Sequence, residues 1–181
     1  MRAQVIEAFG ETDVFRLMSL PEPRPAPGEV GVALDATSVN PVDYKVRRYG
    51  PSTAAMLPAV LGCDAAGTVV PVGAGVADFN VGDEIYGCAG SVAGVSGGSF
   101  AELIATDARL LAHKPSNLTL REAAALPLVT ITAWEGLDRA GVGAGTSVLV
   151  HGGAGSVGHV AIRLAKASGE RSHPLEKGHL E

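Results

Sequence analysis

The sequence predicts a mixed β and α/β protein: an irregular β-barrel followed by the first β-α unit of a doubly wound sheet. Three observations predict it. Residues 1 to about 112 carry many short apolar runs broken by Gly and Pro, the spacing of an all-β region. At Thr119 the hydrophobic period changes to that of helices. Then Ser147 to Ser168, SVLVHGGAGSVGHVAIRLAKAS, reads as strand, glycine turn and helix.

Taken in order, Val5 to Phe9 and Val14 to Leu17 read as the first two strands. Pro21, Pro23, Pro25 and Pro27 make an extended linker, because proline cannot donate within a central strand. Val30, Val32, Leu34 and Ala36 alternate with Gly31, Ala33 and Asp35, the pattern of a half-buried strand. Thr68 to Val70 is another strand, closed by a turn at Gly73-Ala74-Gly75. A turn at Val81 to Glu84 leads into Ile85 and Tyr86, and Ser99 to Ala105 and Leu110 to Ala112 complete the set.

Thr119-Leu120-Arg121-Glu122 is a capping box that opens a helix, which Pro127 ends or kinks. Leu128 to Arg139 is a second helical stretch, stopping near Gly141. Val148, Leu149 and Val150 form a short apolar run, as in a strand buried on both faces. After the turn, Val157, Val160, Ala161, Leu164 and Ala165 share one helical face, and Arg163 and Lys166 lie opposite. Residues 169–181, GERSHPLEKGHLE, contain no Val, Ile or aromatic residue and are not expected to form the second parallel strand.

The glycine turn carries chemistry. Gly153, Gly155 and Gly158 make a full G-x-G-x-x-G, with Ser156 and Val157 inside it. Free N–H groups and the dipole at a helix N-terminus attract anions, and a dinucleotide pyrophosphate carries two negative charges. Glycines let the backbone turn tightly, approach the phosphates and pack the helix on its strand.

Composition excludes several other classes. Hydrophobic residues make up 46% of the chain and charged residues 18%, which suits a packed core. A net charge of −5 argues against nucleic acid as a partner. No run of eighteen apolar residues predicts a membrane span, and the N-terminus lacks a signal-peptide core. Cys63 and Cys88 are too few for a disulfide framework, so a reduced, cytoplasmic protein is expected.

Several ordered motifs converge on a family. They are Asn40-Pro41-Val42-Asp43-Tyr44-Lys45, Leu61 to Val69 (LGCDAAGTV), Phe79 to Gly87 (FNVGDEIYG), Gly98 to Glu102 (GSFAE), Ala123 to Pro127 (AAALP), Thr132-Ala133-Trp134 and the glycine turn. The chain resembles the zinc-independent medium-chain dehydrogenase/reductases, in the quinone oxidoreductase and zeta-crystallin-like branch. The resemblance covers residues 1 to about 169.

It implies a GroES-like β-barrel over 1–122, the start of a Rossmann dinucleotide-binding domain over 123–169, and a tail over 170–181. The tail reads as the family's C-terminal segment after an internal deletion, or as residues added by a vector. The resemblance also implies NADPH-dependent reduction of quinones or α,β-unsaturated carbonyl compounds, with NADH left open and a homo-oligomer expected. The later Rossmann strands, and the residue that would choose between the two cofactors, are missing. Two alternatives therefore stand: an inactive or oligomerising piece of such an enzyme, and an enoyl-reductase module.

The family also implies roles. Asn40 lies near the nicotinamide and donates through its amide, Pro41 holding it extended. Lys45 contacts cofactor or polarises a carbonyl, with the adjacent Tyr44 as substitute. Thr132 meets the carboxamide; its ordinary alternative is a helical threonine bonded to its own backbone. Gly153, Gly155, Ser156, Val157 and Gly158 hold the pyrophosphate. Asp64, Asp83 and Glu84 read as structural. Zinc-dependent members have Cys-His where this chain has Asn40-Pro41, and Gly-His-Glu where it has Gly62-Cys63-Asp64. Only Cys88 lies where they carry four structural cysteines, so no zinc is expected.

Overall fold

In a computed structural model of the chain, residues 1–50, 57–90 and 97–168 are described, together with the backbone of 171–175. The chain divides into two compact units, Met1–Pro127 and Leu128–Glu181.

The first unit is built from antiparallel strands. β1 (Arg2–Ile6) pairs with β2 (Phe15–Ser19), which follows a 3-10 turn at Thr12–Val14. Both strands are shifted from the sequence reading. β1 stops at Ile6, and Phe9 and Val14 fold back onto the cluster of Ile6, Val46, Ala59 and Leu61. β3 (Glu29–Ala36) follows the proline linker, and α1 (Pro41–Tyr49) follows β3. β4 (Ala59–Val60) adds to the other edge of β1, giving the order β2-β1-β4.

β5 (Asp64–Val72), β6 (Glu84–Cys88), β7 (Leu103–Asp107) and β8 (Leu111–His113) complete a five-stranded sheet of order β7-β3-β5-β6-β8. β7 starts four residues later than its sequence signal, because Ser99 and Phe100 bond back to Gly62 and Leu61 instead. β3 does not show one wet face at its start. Val30, Gly31 and Val32 are all buried, and a Cβ on Gly31 would lie 2.5 Å from the ring of Pro71. The core is Val30, Val32, Ala65, Val69, Phe79, Ile85, Ala89 and Ile104. Truncating such a side chain costs about 2–5 kcal/mol.

Thr119 caps α2 (Leu120–Ala123): its Oγ1 accepts from Glu122 N–H at 3.2 Å, and the Glu122 carboxylate accepts from Thr119 N–H at 2.8 Å. α3 (Pro127–Arg139) starts at the proline, whose missing N–H costs nothing in a first turn.

The second unit contains β9 (Ser147–His151), α4 (Ser156–Ala167) and β10 (Arg171–Leu175). β10 corrects the sequence expectation. It pairs with β9 in parallel, from Arg171 opposite Ser147 to Leu175 opposite His151. Ladder bonds come from the backbone, so poor β-formers suffice, and a proline is tolerated on an edge. β9 corrects a second expectation. It alternates exposed and half-buried, with Leu149 55% exposed, because among the described residues it pairs with β10 alone. Residues 169–170 and 176–181 lie outside the described residues.

Candidate functional site

Two sites emerge, one in each unit. The first begins with a helix cap. Asn40 has extended backbone, φ −109° and ψ 160°, as the following proline requires. Its N–H donates to Asp43 Oδ2 at 2.7 Å, and Asp43 N–H donates to the Asn40 carbonyl at 3.0 Å. This reciprocal bonding starts α1 at Pro41.

The Asn40 side chain is spent as well. Nδ2 donates to Asp64 Oδ2 at 2.8 Å and to Ser38 Oγ at 3.0 Å. Ser38 Oγ donates in turn to Asp64 Oδ2. Only an NH2 group can face a carboxylate, so Asp64 fixes the orientation of the amide. Thr37 Oγ1 donates to the Asp64 carbonyl at 2.7 Å and shares a 2.7 Å bond with Ser99 Oγ. Asn40, Asp43, Asp64 and Ser99 are all buried, the two acids at 2% and 0% exposure.

Cys63 adjoins this cluster, 9% exposed, with Sγ 4.0 Å from Asp43 Oδ1. Its backbone is held by glycine. Gly62 has φ +106°, and a Cβ there would lie 2.4 Å from Ser99 Oγ and 2.7 Å from Phe100 Cδ1. Gly90 N–H donates to the Cys63 carbonyl at 2.7 Å, and Ser99 N–H to the Gly62 carbonyl at 3.1 Å. Burial pushes the Cys63 thiol up to about 12, with Asp43, Cys88 and Asp64 adding to it. Burial raises Cys88 too, reinforced by Asp64 and then Asp43. Asp43 itself is raised by burial, while the N–H groups of Asn40 and Gly62 pull it back down.

Lys45 and Tyr44 sit on the exposed side of α1, Tyr44 being 50% exposed. A Lys or Tyr head there is open to a ligand, whereas Asn40 donates elsewhere only by exchanging an existing bond.

The second site is the glycine turn. Gly152 has φ +71°, and a Cβ on Gly158 would lie 2.3 Å from the Gly152 carbonyl oxygen. Gly155 N–H donates to that same carbonyl at 2.9 Å. Gly153 is buried, while Ala154, Gly155, Ser156 and Val157 are exposed at the start of α4. The first-turn N–H groups of a twelve-residue helix thus open to solvent beside a turn only glycine can make. Thr132, on α3, is exposed and donates to the Leu128 carbonyl at 2.7 Å, the self-bonded alternative weighed above.

Sequence reasoning passes over Ser38 and reads Asp64 as structural, without naming Asn40 as the group it holds. The available signal was an ionisable Asp64 inside the apolar stretch from Leu61 to Ala66. Among the described residues, no group of three or more His, Cys, Asp or Glu is arranged to hold a metal, and no helix is long and apolar enough to cross a membrane.

Comparison with known proteins agrees with this architecture. Residues 26–116 match the alcohol dehydrogenase GroES-like domain. An NADPH-dependent alkenal/one oxidoreductase of Arabidopsis thaliana is 43% identical over 92% of this chain and 44% of its own. An alcohol dehydrogenase superfamily protein from Novosphingobium aromaticivorans superposes with a TM-score of 0.89 and 49% identity, over 98% of this chain and 54% of its own. The quinone oxidoreductase of Coxiella burnetii gives 0.84 and 33%, over 98% and 57%. The chain belongs to the medium-chain dehydrogenase/reductase family, with its GroES-like domain in the first unit. It spans about half the length of each of these three proteins.

Proposed function

We propose that this chain carries the barrel and the cofactor turn of an NAD(P)H-dependent oxidoreductase that reduces enones or quinones by hydride transfer. The observation that carries the reading is the Gly152–Gly158 turn, too tight for a Cβ at Gly158 and open at the N-terminus of α4. The similarity to an NADPH-dependent alkenal/one oxidoreductase and to a quinone oxidoreductase supports the substrate class. NADPH is the first choice of cofactor and NADH the second.

Gly153, Gly155, Ser156, Val157 and Gly158 would hold the pyrophosphate, through backbone N–H groups and the helix dipole. Bound nicotinamide supplies the hydride. Lys45 or Tyr44 would donate to the oxygen on which charge develops, a role that preorganised donors fill well. Asn40 would line the site as a wall of fixed polarity, held by Asp43, Ser38 and Asp64. Thr132 would meet the carboxamide through its remaining lone pairs.

Zinc does not fit this donor set. The Asn40 amide nitrogen donates to Asp64 and has no lone pair to offer, and among the described residues no three or more His, Cys, Asp or Glu side chains converge as ligands. A zinc site needs three or four donors, cysteine entering as thiolate. Stoichiometric zinc by metal analysis would overturn this. Free thiols at Cys63 and Cys88 suit the cytoplasm.

Fluorescence titration with NADPH and then NADH tests the reading, followed by assays with enones and quinones. Micromolar NADPH binding is expected. In a chain that turns over, Asn40→Ala should slow turnover, and unchanged kinetics would remove its role. A second reading is an oligomerising piece of a larger enzyme, favoured by the exposed apolar residues Ile131, Trp134 and Leu149. Absence of binding together with self-association in light scattering would establish it in place of the first.

A further inference from the structure

Two thiols are left unused by the proposed reaction, and they sit beside its site. Cys63 is buried and Cys88 half-buried, and both are free. Four positions bring them together with two acids. Asp43 comes from α1, Cys63 from the residue before β5, Asp64 from β5 and Cys88 from β6, directly opposite Asp64. The Cys63 S–H points at Asp43 Oδ1, 4.0 Å away. Asp43 Oδ2 accepts the N–H of Asn40, so one carboxylate joins Cys63 to Asn40.

The chemistry of the substrate class gives this cluster a meaning. Enones and quinones are electrophiles. A thiolate adds through sulfur to the β-carbon of an enone, the π electron pair moves onto the carbonyl oxygen, and a proton from water completes the α-carbon. Nothing leaves, and the product is a thioether. The thiolate rather than the thiol performs this addition.

We propose that Asp43 and Asp64 guard Cys63 and Cys88 by keeping both as thiols, so that the chain meets electrophilic substrates without being alkylated by them. This rests on the enone or quinone reading above. A thiolate at Cys63 would face the Asp43 carboxylate at 4.0 Å in a buried setting, with Asp64 and Cys88 as the other members of the cluster. The two carboxylates act on both thiols in the same direction as burial, and Cys88 adds to them at Cys63. Reactive cysteines have the opposite setting, next to Lys, Arg or protonated His.

The test uses the whole chain without cofactor. Acrolein is added near neutral pH, and alkylation at each cysteine is followed by mass spectrometry with peptide mapping. Both cysteines should react at least ~100-fold more slowly than in the chain unfolded in guanidinium. Asp43→Asn should raise the Cys63 rate at least ~10-fold, its fold being checked by circular dichroism. Native cysteines reacting as fast as in the unfolded chain, or an Asp43→Asn rate equal to the native one, would overturn the proposal. A measurement without mutation guards against a loosened variant. With 13C-labelled cysteine Cβ, the Cys63 signal should keep its thiol shift well above the ordinary cysteine range of about 8.5. An inflection inside that range would also overturn it. The two readings fail separately. Resistant thiols with no NADPH binding leave the guard and remove the reductase; NADPH binding with readily alkylated thiols does the reverse.

Discussion

The two units treat their apolar residues differently. In the first, Val5, Ile6, Val30, Val32, Leu61, Val69 and Ile85 are all at 0% exposure. In the second, Ile131, Trp134 and Leu149 are more than half exposed, and α4 buries only Ala161 and Ala165. The predicted apolar face of α4 is therefore only partly covered. Antiparallel strands obtain neighbours from adjacent hairpins, so a barrel closes its own core. A parallel strand needs crossovers and helices on both faces before its side chains are dry. The lesson is that equal hydrophobicity in sequence does not mean equal burial; the connections decide it.

The largest expected effect breaks this contrast most directly. Ile85→Ala should cost about 2–5 kcal/mol, whereas Leu149→Ser should stay within ~0.5 kcal/mol, both read by urea unfolding. Equal losses would show that the second unit has a closed core after all. Next, Gly62→Ala forces a Cβ into Ser99 and Phe100 at positive φ, and should cost on the order of 2 kcal/mol or more. A melting temperature equal to that of the parent would remove the tight packing inferred around Cys63.

A smaller effect lies at alkaline pH. The Cys63 thiol is pushed up from 9.0 to about 12, chiefly by burial. Below about pH 9 both folded and unfolded chains keep the proton, and the site costs no stability. Between pH 9 and 12 the unfolded chain alone gives up the proton, so stability falls as pH rises. Cys63→Ala should flatten that part of the stability curve relative to the parent. The smallest effect concerns Asp107, held at about 2 by the side-chain bonds from Arg109 and then by its N–H. Its contribution is present above the ordinary value of 3.8 and is lost as pH falls towards 2. Arg109 is exposed and Asp107 half-buried, so the pair stays within reach of solvent, and Asp107→Asn should change acid melting only slightly.

Much of the barrel was legible because its strands are local apolar runs closed by Gly and Pro. The shifts at β1, β2 and β7 arise where tertiary contacts of Phe9, Val14 and Ser99 override the local pattern. The parallel strand at 171–175 was not legible, since backbone pairing left no apolar signature. At the site, Asn40 was legible from its proline. Its bond to Asp64 was not, because the partners are 24 residues apart and meet only after β3 and β5 pair.

The clasp around Cys63 has one more consequence. Leu61, Gly62 and Cys63 are gripped through their carbonyls by Phe100, Ser99 and Gly90, backbone to backbone. None of these grips uses the side chain at position 63. The position is a socket: its fitting is exchangeable while its mounting stays put. Zinc-dependent members, by the sequence resemblance, carry His there and this chain carries Cys. Such a mounting lets a lineage change the chemistry at one point without refolding the barrel around it.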